Sequence, residues 1–333
     1  MKVDTMRRID YLAGVPLAFV LTLLFKVVGL FSAQRRAAPR NVLFLELSEM
    51  GSAILVDPAM RKMRDAGTEL HFAIFKKNAA SLRLLDTVPE ENVFTIREDG
   101  LVPLAVDTLR FLFWCRRRGI DTVIDLELFS RYAALLTGLS GAPNRIGFHA
   151  FHNEGLYRGE LLTRRVAYNP HMHIAKNFVA LVNAALSENE ELPFSKTLIG
   201  EDEIRLAKAE VGDGAKAQVR EKVRALYPDY DAGRHRLVLI NPNASDLLPQ
   251  RRWMPEHFVE VMRRILAEHS DVLILITGAP AEREEAEGLK KRVDDDRCLN
   301  FAGQVKFSEL PALYAISATM LTNDSGPGHF SAV

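Results

Sequence analysis

The run "LTNDSGPGHFSAV" at residues 321–333 gathers groups suited to holding an anion. A short apolar stretch ends, Asn323-Asp324-Ser325-Gly326 intervenes, and a helical pattern resumes. Asp324 or Ser325 is a good N-cap, and Gly326 lets a ligand approach the backbone closely. Free N–H groups at a helix start attract phosphate. His329 lies one helical turn past Ser325 and can face the same ligand. A capped helix with no ligand fits these residues equally well.

Three other loops hold comparable chemistry. "NPNASDLLPQRRW" (241–253) offers Asn243 and Ser245 as hydrogen-bonding groups and Arg251 and Arg252 as charge, a combination suited to a diphosphate. It also reads as a solvated basic loop with Trp253 packed beneath the domain. In "GAPAE" (278–282), Gly278 leaves room for a base or ribose and Glu282 can reach a ribose hydroxyl; an ordinary turn with a surface glutamate is the alternative. In "LSEMGSAILVDPAM" (47–60), Gly51 marks a strand-to-helix turn and Glu49 is a carboxylate able to take a proton from an acceptor hydroxyl. Glu49 reads equally as a first-turn acid favoured by the helix dipole.

The elements around these loops alternate. Strand signals at 41–47, 69–75, 92–96, 121–128 and 144–148 are separated by helical patterns at 52–67, 101–119 and 132–141, and a helix at 173–186 closes this half. The polar, proline-bearing stretch 187–195 reads as a linker. A charged helical stretch covers 201–226. The alternation then restarts, with strands at 236–244, 271–280, 298–303 and 318–324 and helices at 255–269, 281–293 and 308–317. This order predicts two doubly wound, mostly parallel sheets. In such sheets ligands sit beyond the carboxyl ends of the strands, where all four loops fall.

With 333 residues the chain is long enough for two cores, and its 43 basic and 43 acidic side chains balance, which gives no footing for nucleic acid. Cys115 and Cys298 have no metal-type spacing and point to a reducing compartment. The segment "YLAGVPLAFVLTLLFKVVGLF" (11–31) is apolar except for Lys26, and basic residues flank it. Its length is borderline for a span, and Pro16 and Lys26 weaken a simple crossing. A helix lying in or dipping into a bilayer is expected, with its basic ends on anionic headgroups; a helix packed on the domain is the alternative.

The ordered set of loops resembles glycosyltransferase family 9, the bacterial ADP-heptose:lipopolysaccharide heptosyltransferases. The residues that carry the resemblance are "GSAILVDP" (51–58), "DTVIDLELFSRYAALLTGLSGAPNRIGF" (121–148), "RRWMP" (251–255), Gly278 to Glu282, "AGQVKFSEL" (302–310) and "NDSGPGH" (323–329). The resemblance implies an α/β GT-B architecture of two Rossmann-like domains, with donor on the second and acceptor on the first. The implied division is a membrane-associated helix and basic linker (1–40), an acceptor domain (41–195) and a nucleotide-sugar domain (196–333). The family continues beyond the last motif, so the second domain is expected to be incomplete.

The implied reaction is inverting transfer of a heptose from ADP-heptose to a lipopolysaccharide core acceptor, at the cytoplasmic face of the inner membrane. The nucleotide sugar is a co-substrate, and neither cofactor nor metal is expected. The resemblance implies donor contacts from Asn243, Ser245, Arg251, Arg252, Gly278, Glu282, Asp324, Ser325, Gly326 and His329. One position departs from the pattern. Where the family carries the aspartate that serves as its base, this chain has Ser52. A hydroxyl does not accept a proton usefully at neutral pH, so Glu49 is expected to take the role, with Asp57 as second choice. A silent nucleotide-sugar-binding protein, or a transferase using another nucleotide sugar, are the alternatives. Arg116, Arg117, Arg118, Arg131, Arg145, Arg164 and Arg165 are either contacts for an anionic acceptor or plain surface charge.

Overall fold

A computed structural model describes residues 3–31, 38–48, 50–149, 157–188, 198–244 and 249–333. The chain forms two compact units, Met1–Ala207 and Lys208–Val333.

The first unit is built on six parallel strands: β1 (Asn41–Leu45), β2 (Glu69–Phe75), β3 (Val93–Ile96), β4 (Thr122–Asp125), β5 (Asn144–His149) and β6 (Arg164–Ala167), in the order β3-β2-β1-β4-β5-β6. The apolar run "NVLFL" becomes the central strand β1 because it is covered on both faces, which a parallel sheet requires. On one face lie α4 (Asp57–Asp65) and α7 (Ile174–Leu186), around Phe72, Met60 and Phe178. On the other lie α5 (Leu101–Arg117) and α6 (Arg131–Leu139), around Leu43, Phe111 and Leu136.

The helix expected over 52–67 is two helices, α3 (Met50–Leu55) and α4, which meet at Val56. Pro58 in the first turn of α4 has no N–H to continue the ladder. The polar stretch 187–195, expected as the linker, lies partly outside the described residues. The unit boundary falls later, after Ala207, because Ile199, Ile204 and Leu206 belong to the first core.

The apolar N-terminus forms α1 (Val3–Leu12) and α2 (Gly14–Phe31), and both pack on α6. They are therefore a part of the first unit rather than a separate region. Asp10 accepts bonds from Arg131 Nη1 at 3.1 Å and from the Tyr132 N–H at 2.9 Å. Gly159, at φ +74°, sits under α2 so closely that a Cβ there would lie 2.7 Å from Thr22 Oγ1.

The second unit has four parallel strands, β7 (Arg236–Asn241), β8 (Val272–Ile276), β9 (Cys298–Asn300) and β10 (Thr319–Thr322), in the order β10-β7-β8-β9. Helices α9 (Pro255–Glu268) and α10 (Arg283–Val293) cover one face, and α8 (Asp213–Leu226) and α11 (Leu310–Ala315) the other. The helical stretch expected over 201–226 begins only at Asp213; Asp202–Ile204 is a single tight turn, and Gly212 keeps an extended backbone before α8. A five-residue helix, α12 (Gly326–Phe330), follows β10.

Candidate functional site

In each sheet the strand order reverses direction beside its first strand. These switch points open a crevice at the carboxyl ends, between β1 and β4 in the first unit and between β7 and β10 in the second. A buried side chain bridges each of them.

In the second unit that side chain is Asn323. Its Nδ2 donates to the Pro242 carbonyl at 2.7 Å, and its Oδ1 accepts from the Trp253 N–H at 3.0 Å. The loops after β7 and β10 are therefore held together. Asp324 and Arg251, read from separate loops, come into one ion pair, with Arg251 Nε 3.3 Å from Asp324 Oδ2 and both side chains largely exposed. Ser325 is the N-cap of α12 by position, but its hydroxyl lies 3.2 Å from the Asn323 carbonyl rather than on a helix N–H. Gly326 is packed by Phe330, whose ring a Cβ would approach to 3.3 Å. His329 lies within α12, half-buried. Phe330 in turn meets Phe307 edge-on at 5.1 Å and seats α12 on the unit.

Arg252, the other arginine of this loop, reaches back to the loop itself. Its guanidinium donates to the Ala244 carbonyl at 2.8 and 3.2 Å and braces the loop, while the residue stays exposed. Trp253 stacks on His257 with ring centroids 5.0 Å apart. Ser245 lies outside the described residues.

Gly278, expected to leave room for a base or ribose, lies beside two polar side chains. A Cβ there would meet Glu282 Oε2 at 2.8 Å and Asn243 Nδ2 at 3.0 Å. The Glu282 carboxylate also accepts the Ala279 N–H. Asn243 and Glu282 thus share one spot at the end of β8, each buried or half-buried. Gly303, at φ +71°, brings the next loop against them: its N–H donates to the Gly278 carbonyl at 2.9 Å, and a Cβ would lie 3.0 Å from Pro280. The glycine of "AGQVKFSEL" is needed for both reasons.

In the first unit the bridge is Glu127, which the sequence reading did not single out. Its Oε1 accepts the N–H groups of Leu47 and Ser48 at 2.9 Å each and the Ser48 hydroxyl at 2.8 Å. It fixes the end of β1 two residues before α3. Asp125 is fully buried beside it. Burial pushes its pKa up to about 6, against the pull of Arg158, whose Nη2 lies 2.5 Å from Asp125 Oδ2. Arg158 also donates to the Glu127 and Ser130 carbonyls and closes the loop after β4. An acidic residue ending an apolar strand, "DLEL", is the one local sign of this cluster.

Ser52 is half-buried on α3. Glu49 lies outside the described residues. Asp57, the second choice as base, is ruled out by its surroundings. Its carboxylate is fully buried and accepts from Thr87 Oγ1 at 2.5 Å, Arg61 Nε at 2.9 Å and the Ala207 N–H at 3.2 Å. Arg131 and Arg145 are not open to an acceptor either. Both are buried, Arg131 against Asp10 and Arg145 on the carbonyls of Leu161 and Ala142, each at 2.7 Å. Arg116 and Arg117 are exposed. Among the described residues, no three His, Cys, Asp or Glu side chains are grouped as metal ligands.

Residues 114–333 match the sequence profile of glycosyltransferase family 9 (heptosyltransferase). A comparison with curated proteins finds no match. Among solved structures, ADP-heptose lipopolysaccharide heptosyltransferase II of E. coli superposes with a TM-score of 0.67 at 17% identity, covering 87% of this chain and 81% of that one. A family 9 glycosyltransferase from Veillonella parvula gives 0.65 at 16%, covering 90% and 79%. E. coli heptosyltransferase WaaC, solved with ADP-2-deoxy-2-fluoro heptose, gives 0.61 at 17%, covering 88% and 85%. These likenesses establish the GT-B fold.

Proposed function

The chain belongs to glycosyltransferase family 9, and from that premise we propose that it transfers a heptose from ADP-heptose to a lipopolysaccharide core acceptor with inversion. The observation that carries the reading is the convergence of the loops after β7 and β10 through Asn323, which sets Arg251 beside Asp324 at the switch point. The nucleotide sugar would sit there on the second unit. The acceptor hydroxyl would attack the anomeric carbon in one displacement, and negative charge would build on the departing diphosphate. Arg251 supplies the cation for that charge, once drawn from Asp324. Ser325, Gly326 and His329 line the same turn, and Asn243 and Glu282 offer polar groups to the ribose.

On the first unit, Glu127 holds the backbone that leads into Glu49, Gly51 and Ser52. Glu49 is the carboxylate we assign to proton removal. The acceptor is lipid-linked in this reading, and the apolar helix α2, with the basic residues of α1 beside it, would keep the protein at the cytoplasmic face of the inner membrane.

Ser52 at the family's aspartate position favours a second reading, a protein that binds a nucleotide sugar without transferring it. Two measurements on the whole protein separate these. Thermal shift with ADP-, UDP- and GDP-sugars identifies the donor, since only a ligand of the folded state raises the midpoint. Turnover of the stabilising sugar is then followed in Glu49→Gln, where a general base predicts a loss of about 10²–10⁴-fold with donor affinity kept. Stabilisation by ADP-sugars with no turnover in the unaltered chain establishes the silent reading instead.

A further inference from the structure

We propose that α5 is a second bilayer-contacting element and that α2 lies in the membrane plane, so that one face of the first unit docks on an anionic lipid surface. The proposal rests on the membrane location put forward above and extends it to a helix outside the apolar N-terminus.

The inward side of α2 is a narrow stripe of Gly14, Ala18, Leu21 and Thr22, with Phe25 partly buried beyond it. Thr22 Oγ1 accepts the Glu160 N–H at 2.9 Å, Lys26 Nζ lies 3.1 Å from Glu160, and the Phe25 ring lies under the Arg145 guanidinium at 5.1 Å. From Gly14 to Lys26 the helix runs for about 18 Å at 1.5 Å per residue, attached along its length. If α2 crossed the bilayer, Glu160, Arg145 and Arg131 would be carried into hydrocarbon with it, at a cost nothing offsets. Its outward side presents Phe19, Leu23, Val27 and Leu30, between 48% and 81% exposed, and its flank Leu17, Val20, Leu24 and Val28, between 50% and 60%.

Helix α5 repeats this pattern. Asp107, Phe111 and Cys115 are buried in the first unit. The opposite side carries Val102 (75% exposed), Val106 (38%), Leu109 (69%) and Phe113 (67%), spaced four, three and four residues apart on one stripe. A water-facing helix is polar on that side. Helices α5 and α6 lie on the same sheet face, joined by the Thr108 and Tyr132 hydroxyls at 2.7 Å. Helices α1 and α2 pack on α6 as well, with Leu21 and Phe25 against Ala134 and Leu135.

Two apolar stripes thus lie on helices that pack against α6. Exposed arginines accompany both, Arg7 and Arg8 on α1 and Arg110, Arg116 and Arg117 on α5. Long cationic side chains beside apolar stripes match anionic headgroups over acyl chains. A second copy of this chain on the same face would set these arginines against one another, so the charge favours lipid.

The test is sedimentation of the full chain with vesicles of phosphatidylethanolamine and phosphatidylglycerol. Leu109→Glu with Phe113→Glu should lower vesicle binding by about tenfold or more, with circular dichroism and ADP-sugar binding unchanged. Val20→Glu with Leu24→Glu should do the same. If only the α2 pair weakens binding, α5 is not a contact, while the membrane location stands. If the unaltered chain ignores vesicles and sediments as a dimer that the α5 pair dissociates, the face is a protein interface and both readings fail. Orientation is read separately, from fluorophores on Leu17→Cys, Leu24→Cys and Val28→Cys quenched by lipids brominated at known depth. An in-plane helix gives one shallow depth for all three, whereas a marked gradient from Leu17 to Val28 overturns that part. Cys115 and Cys298 are buried, with thiols that burial pushes up to about 12, so the added thiols label selectively.

Discussion

The Trp253 backbone N–H donates to the Asn323 side-chain oxygen at 3.0 Å, across seventy residues of sequence, and this bond sets the distance between the two loops assigned to the donor. Asn323→Ala should therefore act twice. It leaves the Trp253 N–H and the Pro242 carbonyl without partners, which costs about 1–3 kcal/mol. It also frees the loops, so ADP-sugar affinity should fall although Asn323 itself need not touch the ligand. Urea denaturation and calorimetry measure the two effects separately.

Glu127 plays the matching part in the first unit, with a different readout. Glu127→Ala leaves two backbone N–H groups and a hydroxyl without their acceptor. Stability should drop by about 2–3 kcal/mol. Turnover should fall with donor affinity intact, because the disturbed turn leads into Glu49 and lies on the other unit. Glu127→Gln keeps an oxygen to accept both N–H groups and should recover much of the stability.

Arg251→Ala and Ser325→Ala test the donor turn directly. A charge-assisted hydrogen bond contributes about 1.5–3 kcal/mol, so Arg251→Ala should weaken nucleotide-sugar binding by about tenfold or more. Ser325→Ala should cost less, since its hydroxyl is already engaged with the Asn323 carbonyl. Arg252→Ala should chiefly affect stability, because its guanidinium holds the Ala244 carbonyl and so the shape of the loop. Equal loss of affinity from Arg251→Ala and Arg252→Ala in calorimetry would count against the assignment.

His71 gives the first unit an acid-sensitive point. The ring is fully buried on β2, edge-on to Trp114 at 5.6 Å, and neither ring nitrogen has a hydrogen-bond partner. Burial lowers its pKa below the usual 6.5, outweighing the pull of Glu69. The unfolded chain therefore takes up a proton at a pH where the folded chain does not. The contribution of neutral His71 is complete above about pH 6.5 and erodes as pH falls below it. His71→Leu should flatten stability between about pH 7.5 and pH 5.5, seen as a smaller shift of the urea midpoint.

Asp10→Ala asks whether the apolar N-terminus is a tail or a wall of the domain. Arg131 is buried and Asp10 nearly so, and breaking such a pair by removing one partner costs about 3 kcal/mol. A tail would show no change in the urea midpoint. Arg131→Met in the same background should restore part of the loss.

The sequence was most readable where local pattern decides the outcome. The apolar runs of β1 and β8 had to be covered on both faces, and glycines and prolines marked the turns around them. "NDSGPGH" was also legible as a mark of the family, because its residues are consecutive in the chain. The bridging groups were not. Glu127 meets Leu47 and Ser48 from about eighty residues away, and no local period marks such a contact. Arg131 misled for the same reason. Alone it reads as surface charge or an acceptor contact, and only Asp10, 121 residues earlier, explains why it is buried. Asp57 read as a free acid because Thr87 and Ala207, which occupy it, are distant in sequence.

The packing of α2 on α6 bears on how the protein is handled. Clipping an apolar N-terminus is a common route to a soluble fragment. Here it would uncover Ala134, Leu135 and Leu161, now sealed by Leu21 and Phe25, and take Asp10 away from Arg131. The fragment would exchange one adhesive surface for another and lose a side of its own interior. Polar substitutions at Leu17, Val20, Leu24 and Val28 leave the inward stripe whole, so they are the sounder path to material that stays in solution.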